Sequence, residues 1–351
     1  MDASITGPGL PVEIGRIDKE LGKLWESADG TKTRASLINL VIYTEDPGSL
    51  EENTNLIAAI AGKHACRAIL ILADPGASGS GASAWISAHC RFSGKGENQI
   101  CSEQITFRLD GGAAAALPNI VFSHLDSDLP LCLWWRAPFR EPLDSELWSW
   151  IDRLIFDSSS WAEPLGQFAL VKRIDQLAES HAILCDLNWA RLHSWRVSLA
   201  NLFDHPAALA ILGRIDSLCI TSAPEFRTTA FLLAGWLAAQ LRWKLLPDEH
   251  CFECADRRRI AFNSAESAGE GISLVELCCA DACFHLAREA GFFRATLRAP
   301  GVPESEFTLP ASPEDVTDTL LGELGRGGRH PLYAKSLEAM LPLMRFRRDS
   351  F

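Results

Sequence analysis

The sequence predicts an α/β fold: an N-terminal layered domain with a largely parallel sheet, followed by an α+β C-terminal domain of a helical layer plus a small sheet. Three observations predict it. Two short apolar, β-branched runs, 37-LINLVIYT-44 and 68-AILILA-73, flank a stretch of helical periodicity and end in the turn signals Glu45-Asp46-Pro47-Gly48 and Asp74-Pro75-Gly76. Strand, helix and strand joined this way form a βαβ unit, whose strands lie parallel. The stretch 128-DLPLCLWWRAP-138 holds seven consecutive apolar residues, so both faces of a strand there are apolar and the strand is central. Beyond Pro247 a block of helices gives way to short β-like runs. With 351 residues the chain is long enough for two domains with separate cores.

Each element follows in order. An N-terminal helix fills the segment 1–30: in 16-RIDKELGKLWESADG-30, Ile17, Leu21, Leu24 and Trp25 share a stripe and Gly30 can stop it. The α/β domain occupies 31–165. Its helix at 49–64 keeps Leu56, Ile57, Ile60 and Ala61 in register. Two alternating segments follow, 84–92 and 104–109; in the second, Ile105, Phe107 and Leu109 alternate with Gln104, Thr106 and Arg108, which predicts a half-buried strand. An alanine-rich helix near 113–124 leads into the tryptophan strand. Asp144 can cap a helix at 145–153, and 154-LIFDSSS-160 reads as a further strand. The C-terminal domain, 166–351, opens with helices. Asp186 caps 187–203, on which Leu192, Trp195, Leu199 and Phe203 form one stripe, with Trp189 and Arg196 at one edge and Arg191 at the other. A second helix spans about 225–243; strands follow at 258–263, 272–279 and 292–299, and a tail helix near 333–344.

Charge excludes one class of partner. The net charge is −12 and there is no long basic run, so the positive footprint of a nucleic-acid binder is missing. The most hydrophobic helix candidate, 230-AFLLAGWLAA-239, falls short of the roughly 20 residues a membrane span needs. The opening MDASITGPGLPVEIG has neither a positive nor an apolar signal region, which predicts a cytoplasmic chain. Eleven cysteines scattered through it read as mostly reduced core residues.

Chemistry-bearing motifs are sparse. Gly79-Ser80-Gly81 follows a strand but precedes another, so it reads as a loop and not as half of a dinucleotide fingerprint. No catalytic signature occurs, and no cofactor is expected. Cys251 and Cys254 form a Cys-x-x-Cys that could join Cys279 and Cys283 around zinc, although the Cys-x-x-x-Cys spacing of the second pair is poor, or act as a redox pair, which would want the motif just after a strand at a helix start. Arg136 ends a buried strand and must find a carboxylate, a phosphate or water; Asp157, ending the next strand, is one partner. The alternative is a crevice of Asp74, Arg136 and Ser158 that takes a sugar phosphate or nucleotide; equally, the serines of 157–160 cap a helix.

Three blocks, DLPLCLWWRAP (128–138), DRLIFDSSSW (152–161) and DLNWARLHSWR (186–196), resemble the signature stretches of the OpcA family, the glucose-6-phosphate dehydrogenase assembly proteins. IDKELGKLW (17–25), LINLVIY (37–43), HACRAILI (64–71) and AFLLAGWLAAQLRW (230–243) support it, in order along about two thirds of the chain; the last hundred residues match only in general character. The resemblance implies a two-domain, non-enzymatic protein that binds glucose-6-phosphate dehydrogenase, promotes its active oligomer and raises its activity. Such a protein needs anchors and not a nucleophile, and interface energy concentrates in tryptophan and arginine. The candidates for partner binding or domain locking are Trp134, Trp135, Arg136, Asp157, Trp189, Arg191, Trp195 and Arg196, the tryptophans of the apolar strand and stripe doubling as core.

Overall fold

A computed structural model describes residues 8–26, 32–34, 36–92, 99–115, 117–246, 251–311 and 315–348. Among these, the first sheet is built from β1 (Leu10–Val12), β2 (Lys32–Arg34), β3 (Ile38–Thr44), β4 (Cys66–Asp74), β5 (Ser80–Phe92), β6 (Gln99–Gly111), β7 (Leu131–Trp135), β8 (Arg153–Phe156) and β9 (Ile183–Asp186). Its order is β1-β5-β6-β4-β3-β7-β8-β9, with β2 beside β6. Adjacent pairs from β6 to β8 are parallel, and the hairpin β5–β6 and the edge pair β1–β5 are antiparallel. The expected βαβ unit is β3, the helix Leu50–Lys63 and β4. Every residue of β3 is buried, because parallel strands are covered on both faces.

The second sheet holds β10 (Ser217–Ser222), β11 (Lys244–Leu246), β12 (Cys251–Glu253), β13 (Arg259–Glu266), β14 (Ile272–Cys279), β15 (Ala282–Glu289), β16 (Phe292–Ala299) and β17 (Val302–Pro310). Its order is β11-β12-β13-β10-β14-β15-β16-β17, antiparallel apart from the β10–β13 pair. Burial alternates along β13 to β16. On the buried face Phe293 meets Trp195 edge-on at 4.6 Å, and Phe284 meets Phe203 at 4.6 Å. The stripe of Leu192, Trp195, Leu199 and Phe203 is therefore core.

The chain divides into two compact units, each discontinuous in sequence. The first runs through Phe156 and adds Ala169–Cys185 and Leu320–Gly327; the second takes Asp157–Phe168, Asp186–Thr319 and the chain from Gly328 onward.

Several elements differ from expectation. Residues 101–107 of β6 are buried on both faces and not half-buried, and of the expected polar positions only Arg108 is exposed; Gln104 is satisfied in the interior by His89 at 2.7 Å and Thr106 at 3.0 Å. The alanine-rich segment forms short pieces, Gly112–Ala115, Leu117–Val121 and a 3₁₀ turn Phe122–His124. The helix after Asp186 breaks at Leu192 into Leu187–Arg191 and His193–Asn201. β9, at the edge of the first sheet beside β8, was not expected, nor were β10 and β15, which make the second sheet larger; the runs are short or half polar, and neighbours on both sides hold β10 and β15. Gly30 and Pro247, and the side chains of Leu24 and Trp25, lie outside the described residues.

Candidate functional site

Chain order in the first sheet reverses between β3 and β7: β4 and β6 follow on one side, β8 on the other. The crevice at the carboxyl ends of strands flanking such a switch point is where open parallel sheets bind ligands. Tyr43 and Trp135 end these two strands as register neighbours and stack at 3.8 Å with planes 8° apart. They wall a cavity of about 550 Å³ whose other lining includes Glu45, Arg140, Asp144 and Trp148. Glu45 accepts from the Tyr43 hydroxyl at 3.1 Å and pairs with Arg140. Burial, and then the Glu45 charge, push the Tyr43 phenol well above its ordinary range. The indole Nε1 of Trp135 is buried without a hydrogen-bond partner among the described residues.

A dinucleotide would place its pyrophosphate at the helix that follows β3. Here the connecting loop is Glu45-Asp46-Pro47-Gly48-Ser49, with Asp46 accepting from the Gly48 N–H at 2.9 Å, and the first helical turn carries Glu51 and Glu52. These carboxylates complement the helix dipole themselves and repel a phosphate. Arg136 is drawn to the same turn. Its guanidinium donates to Asn53 and to Glu52 at 2.9 Å and lies 4.8 Å from the centre of the Trp134 ring. The pairing expected between Arg136 and Asp157 is thus replaced, because the helix after β3 offers Arg136 a carboxylate and an amide.

Asp157 instead accepts two hydrogen bonds from Arg191. Burial alone would raise its pKa, but the Arg191 hydrogen bonds and charge bring it below the ordinary carboxylate range. Beside it Asp186 is buried and accepts from Ser158 N at 3.1 Å, Ser158 Oγ at 2.7 Å, Asn188 N at 3.0 Å and the Tyr333 hydroxyl at 3.0 Å. Desolvation outweighs these donors and raises its pKa to about 6. Ser158 is wholly buried in this cap, so it is not an open crevice residue, and Asp74 serves its own turn by accepting from Gly76 N at 3.1 Å.

Trp134, Trp189 and Trp195 are core residues, and Trp135 is half-buried in the cavity wall. Arg196 stacks 3.6 Å over the Trp189 ring and donates to its carbonyl at 2.7 Å, which holds the two short helices together. All three arginines are therefore engaged within their own unit. Sequence reasoning missed Trp150, which is 53% exposed and stacks on Phe122 at 5.2 Å. The signal was available: Trp148 and Trp150 stand two apart at a short helix, so one faces in and the other out.

The cysteines sort by register. β12, which carries Cys251, is separated from β14 by β13 and β10, roughly 14 Å at the usual strand spacing. The set Cys251, Cys254, Cys279 and Cys283 is not brought together. Cys254 Sγ lies 2.6 Å from Asp256, and Cys279 Sγ lies 3.3 Å from Asp281. Two disulfides, Cys90–Cys101 and Cys278–Cys283, join residues directly opposite on neighbouring strands, an arrangement that only strand register creates. Cys66, Cys132 and Cys185 are buried thiols, pushed up by burial to about 12, about 11 and about 12. Thiols of that kind are unreactive. Among the described residues no helix is long and apolar enough to cross a membrane.

Comparison with known proteins agrees across both units. A family model described as the glucose-6-phosphate dehydrogenase subunit N-terminal domain matches residues 57–173, and one described as its C-terminal domain matches 182–337. A Synechococcus elongatus protein named "Putative OxPP cycle protein OpcA" is 30% identical over 297 residues, covering 76% of this chain and 65% of the relative. Its namesake from Synechocystis sp. is 28% identical over 256 residues, covering 68% and 53%. The chain thus spans about half to two thirds of these relatives. An aldose-aldose oxidoreductase from Caulobacter crescentus aligns over 90% of this chain and 98% of its own at 9% identity, with a TM-score of 0.45, which carries no functional argument. Matches to both domain models, one after the other along this chain, and to two relatives named OpcA establish that this protein belongs to the OpcA family.

Proposed function

We propose that this chain is a non-enzymatic assembly factor and allosteric activator of glucose-6-phosphate dehydrogenase, acting at the entry to the oxidative pentose phosphate pathway. The observation that carries the reading is the family match over both units, whose models are described by that enzyme's name. The carboxylates at the switch-point helix support it, since they disfavour the phosphate that a nicotinamide dinucleotide would place there. Activation then comes from differential affinity: the chain binds the active conformation or oligomer better than the inactive one, and only that difference moves the equilibrium. Trp150, presenting its indole to solvent, is a partner anchor; Arg136, Arg191 and Arg196 keep the surrounding elements in place. Mixing the chain with its cognate dehydrogenase should lower the apparent KM for substrate and enlarge the particle measured by light scattering. No change in either quantity would sink the proposal. Trp150→Ala should cost about 2 kcal/mol or more of binding, while a rim substitution costs well under about 1.

The switch-point cavity favours a second reading, a sensor of a sugar phosphate or nucleotide. Calorimetric titration with glucose 6-phosphate and with NADP decides it: heat with either supports the sensor, and silence with both removes it.

A further inference from the structure

The open face of the second sheet carries a side-chain cluster that the function above does not use. Register sets Glu276 opposite His285 and Cys278 opposite Cys283 on β14 and β15. Residues two apart on a strand share a face, so all four project from one side, and the intervening Leu277 and Phe284 are buried on the other. The sulfurs of Cys278 and Cys283 and a ring nitrogen of His285 lie within 4.8 Å of one another, and all three residues are half-exposed. His285 Nδ1 lies 3.0 Å from Glu276 Oε1.

Two sulfurs and an imidazole are the donors that zinc and similar divalent cations prefer. Tetrahedral bonds of about 2.3 Å to sulfur need donor atoms roughly 4 Å apart, a spacing that side-chain rotation here can reach. A carboxylate against the second ring nitrogen is how metal-bound histidines are commonly oriented. We propose that the dithiol form of this protein binds a zinc-class divalent cation through Cys278, Cys283 and His285. Glu276 orients the imidazole through Nδ1, Nε2 is the donor, and water completes the coordination. This site is distinct from the Cys251-x-x-Cys254 pair and independent of the dehydrogenase reading.

With Cys278 and Cys283 joined in a disulfide, the sulfurs are bonded to each other and hold no cation. A trialkylphosphine opens the site: phosphorus supplies two electrons to the S–S bond and takes the oxygen of a water molecule, whose two protons go to the sulfurs. The cation then displaces both thiol protons as it binds.

The test uses the full chain, stripped with a chelator, reduced with phosphine and titrated with Co²⁺ under inert gas. The expected result is a thiolate-to-cobalt charge-transfer band saturating at a single equivalent and abolished by Zn²⁺ competition. The oxidised chain should give no band. Cys278→Ser/Cys283→Ser should lose it, Cys251→Ser/Cys254→Ser should keep it, and Glu276→Gln should weaken affinity by about 10–100-fold. Should the double serine variant fail to fold, His285→Gln reads the same site, and its affinity should fall. A reduced wild-type chain that is folded by circular dichroism yet gives no band overturns the proposal. So does a band that survives Cys278→Ser/Cys283→Ser, or one lost only in Cys251→Ser/Cys254→Ser.

Discussion

Asp186 carries a charge that burial disfavours. Four donors converge on it, two from Ser158, one from Asn188 and one from Tyr333, yet burial still raises its pKa to about 6 from an ordinary 3.8. The sign of the pH effect follows. A raised carboxylate pKa means that the folded chain holds a proton which the unfolded chain has released, so the contribution is favourable at low pH. It fades as pH climbs past the unfolded value and is lost above the folded one. Asp186→Asn removes this dependence. Its unfolding free energy relative to wild type should therefore rise by about 2 kcal/mol between about pH 4 and about pH 7, whatever offset the lost hydrogen bonds add. Parallel denaturant titrations at the two pH values measure it, and a constant difference would refute the assignment. Asp186 also marks what residue-level reading could see. Its capping role was legible from an Asp before an amphipathic run, and Asn188 N does donate to it. Ser158 and Tyr333 were invisible as partners, because their separations of 28 and 147 residues leave no local pattern.

Helices and strands set the next scale. Gly235 sits inside the helix Arg227–Leu241, where alanine would ordinarily stabilise by up to about 1 kcal/mol. Here a Cβ would meet the Ser336 carbonyl at 2.5 Å and the Met340 Cβ at 2.9 Å on the helix Pro331–Arg348. The sign should reverse: Gly235→Ala is expected to destabilise by roughly 1–3 kcal/mol, read from the denaturation midpoint. In the first unit, buried Arg67 on β4 reaches Asp18 of the helix Ile17–Glu26 at 2.8 Å and buried Glu103 of β6 at 3.5 Å. Arg67→Met leaves Glu103 without that charge partner and should cost roughly 3–5 kcal/mol. Adding Glu103→Leu should restore much of the loss, whereas an additive double variant would show that the two residues do not act as a pair. Element types were mostly readable, since β3, β4, β7, β8 and the helix Leu50–Lys63 all announce themselves by periodicity or apolar runs. β10 and β15 alternate in the same way, with Leu218 and Ile220 in one and Ala282, Phe284 and Leu286 in the other, but their place in the sheet is set by pairing with a neighbour on each side.

For the whole molecule, the first sheet has the strand order of a dinucleotide-binding fold, with carboxylates where phosphate would rest. The activation proposed above, built on coupling, makes a quantitative demand. If the chain tightens the dehydrogenase's hold on glucose 6-phosphate about tenfold, saturating glucose 6-phosphate must tighten the complex of chain and dehydrogenase by about the same tenfold. Fluorescence anisotropy of the labelled chain with and without the sugar phosphate measures this. Equal dissociation constants beside a lowered KM would show that activation is not a binding linkage.

The sequence by itself determined the layered α/β character, the parallel βαβ unit, the caps at Asp144 and Asp186, the apolar stripe of the C-terminal unit and the family. Each of these is written in periodicity, capping chemistry or contiguous residue blocks, which survive without three-dimensional context. Tertiary structure alone decided which partners the arginines take, which tryptophan faces solvent, and how the cysteines sort. Register brought Cys278 to Cys283 and left Cys251 strands away, and Arg136 pairs with the helix after β3 while Asp157 pairs with Arg191. Those outcomes depend on residues far apart in the chain arriving at one place, and local propensity carries no information about such encounters.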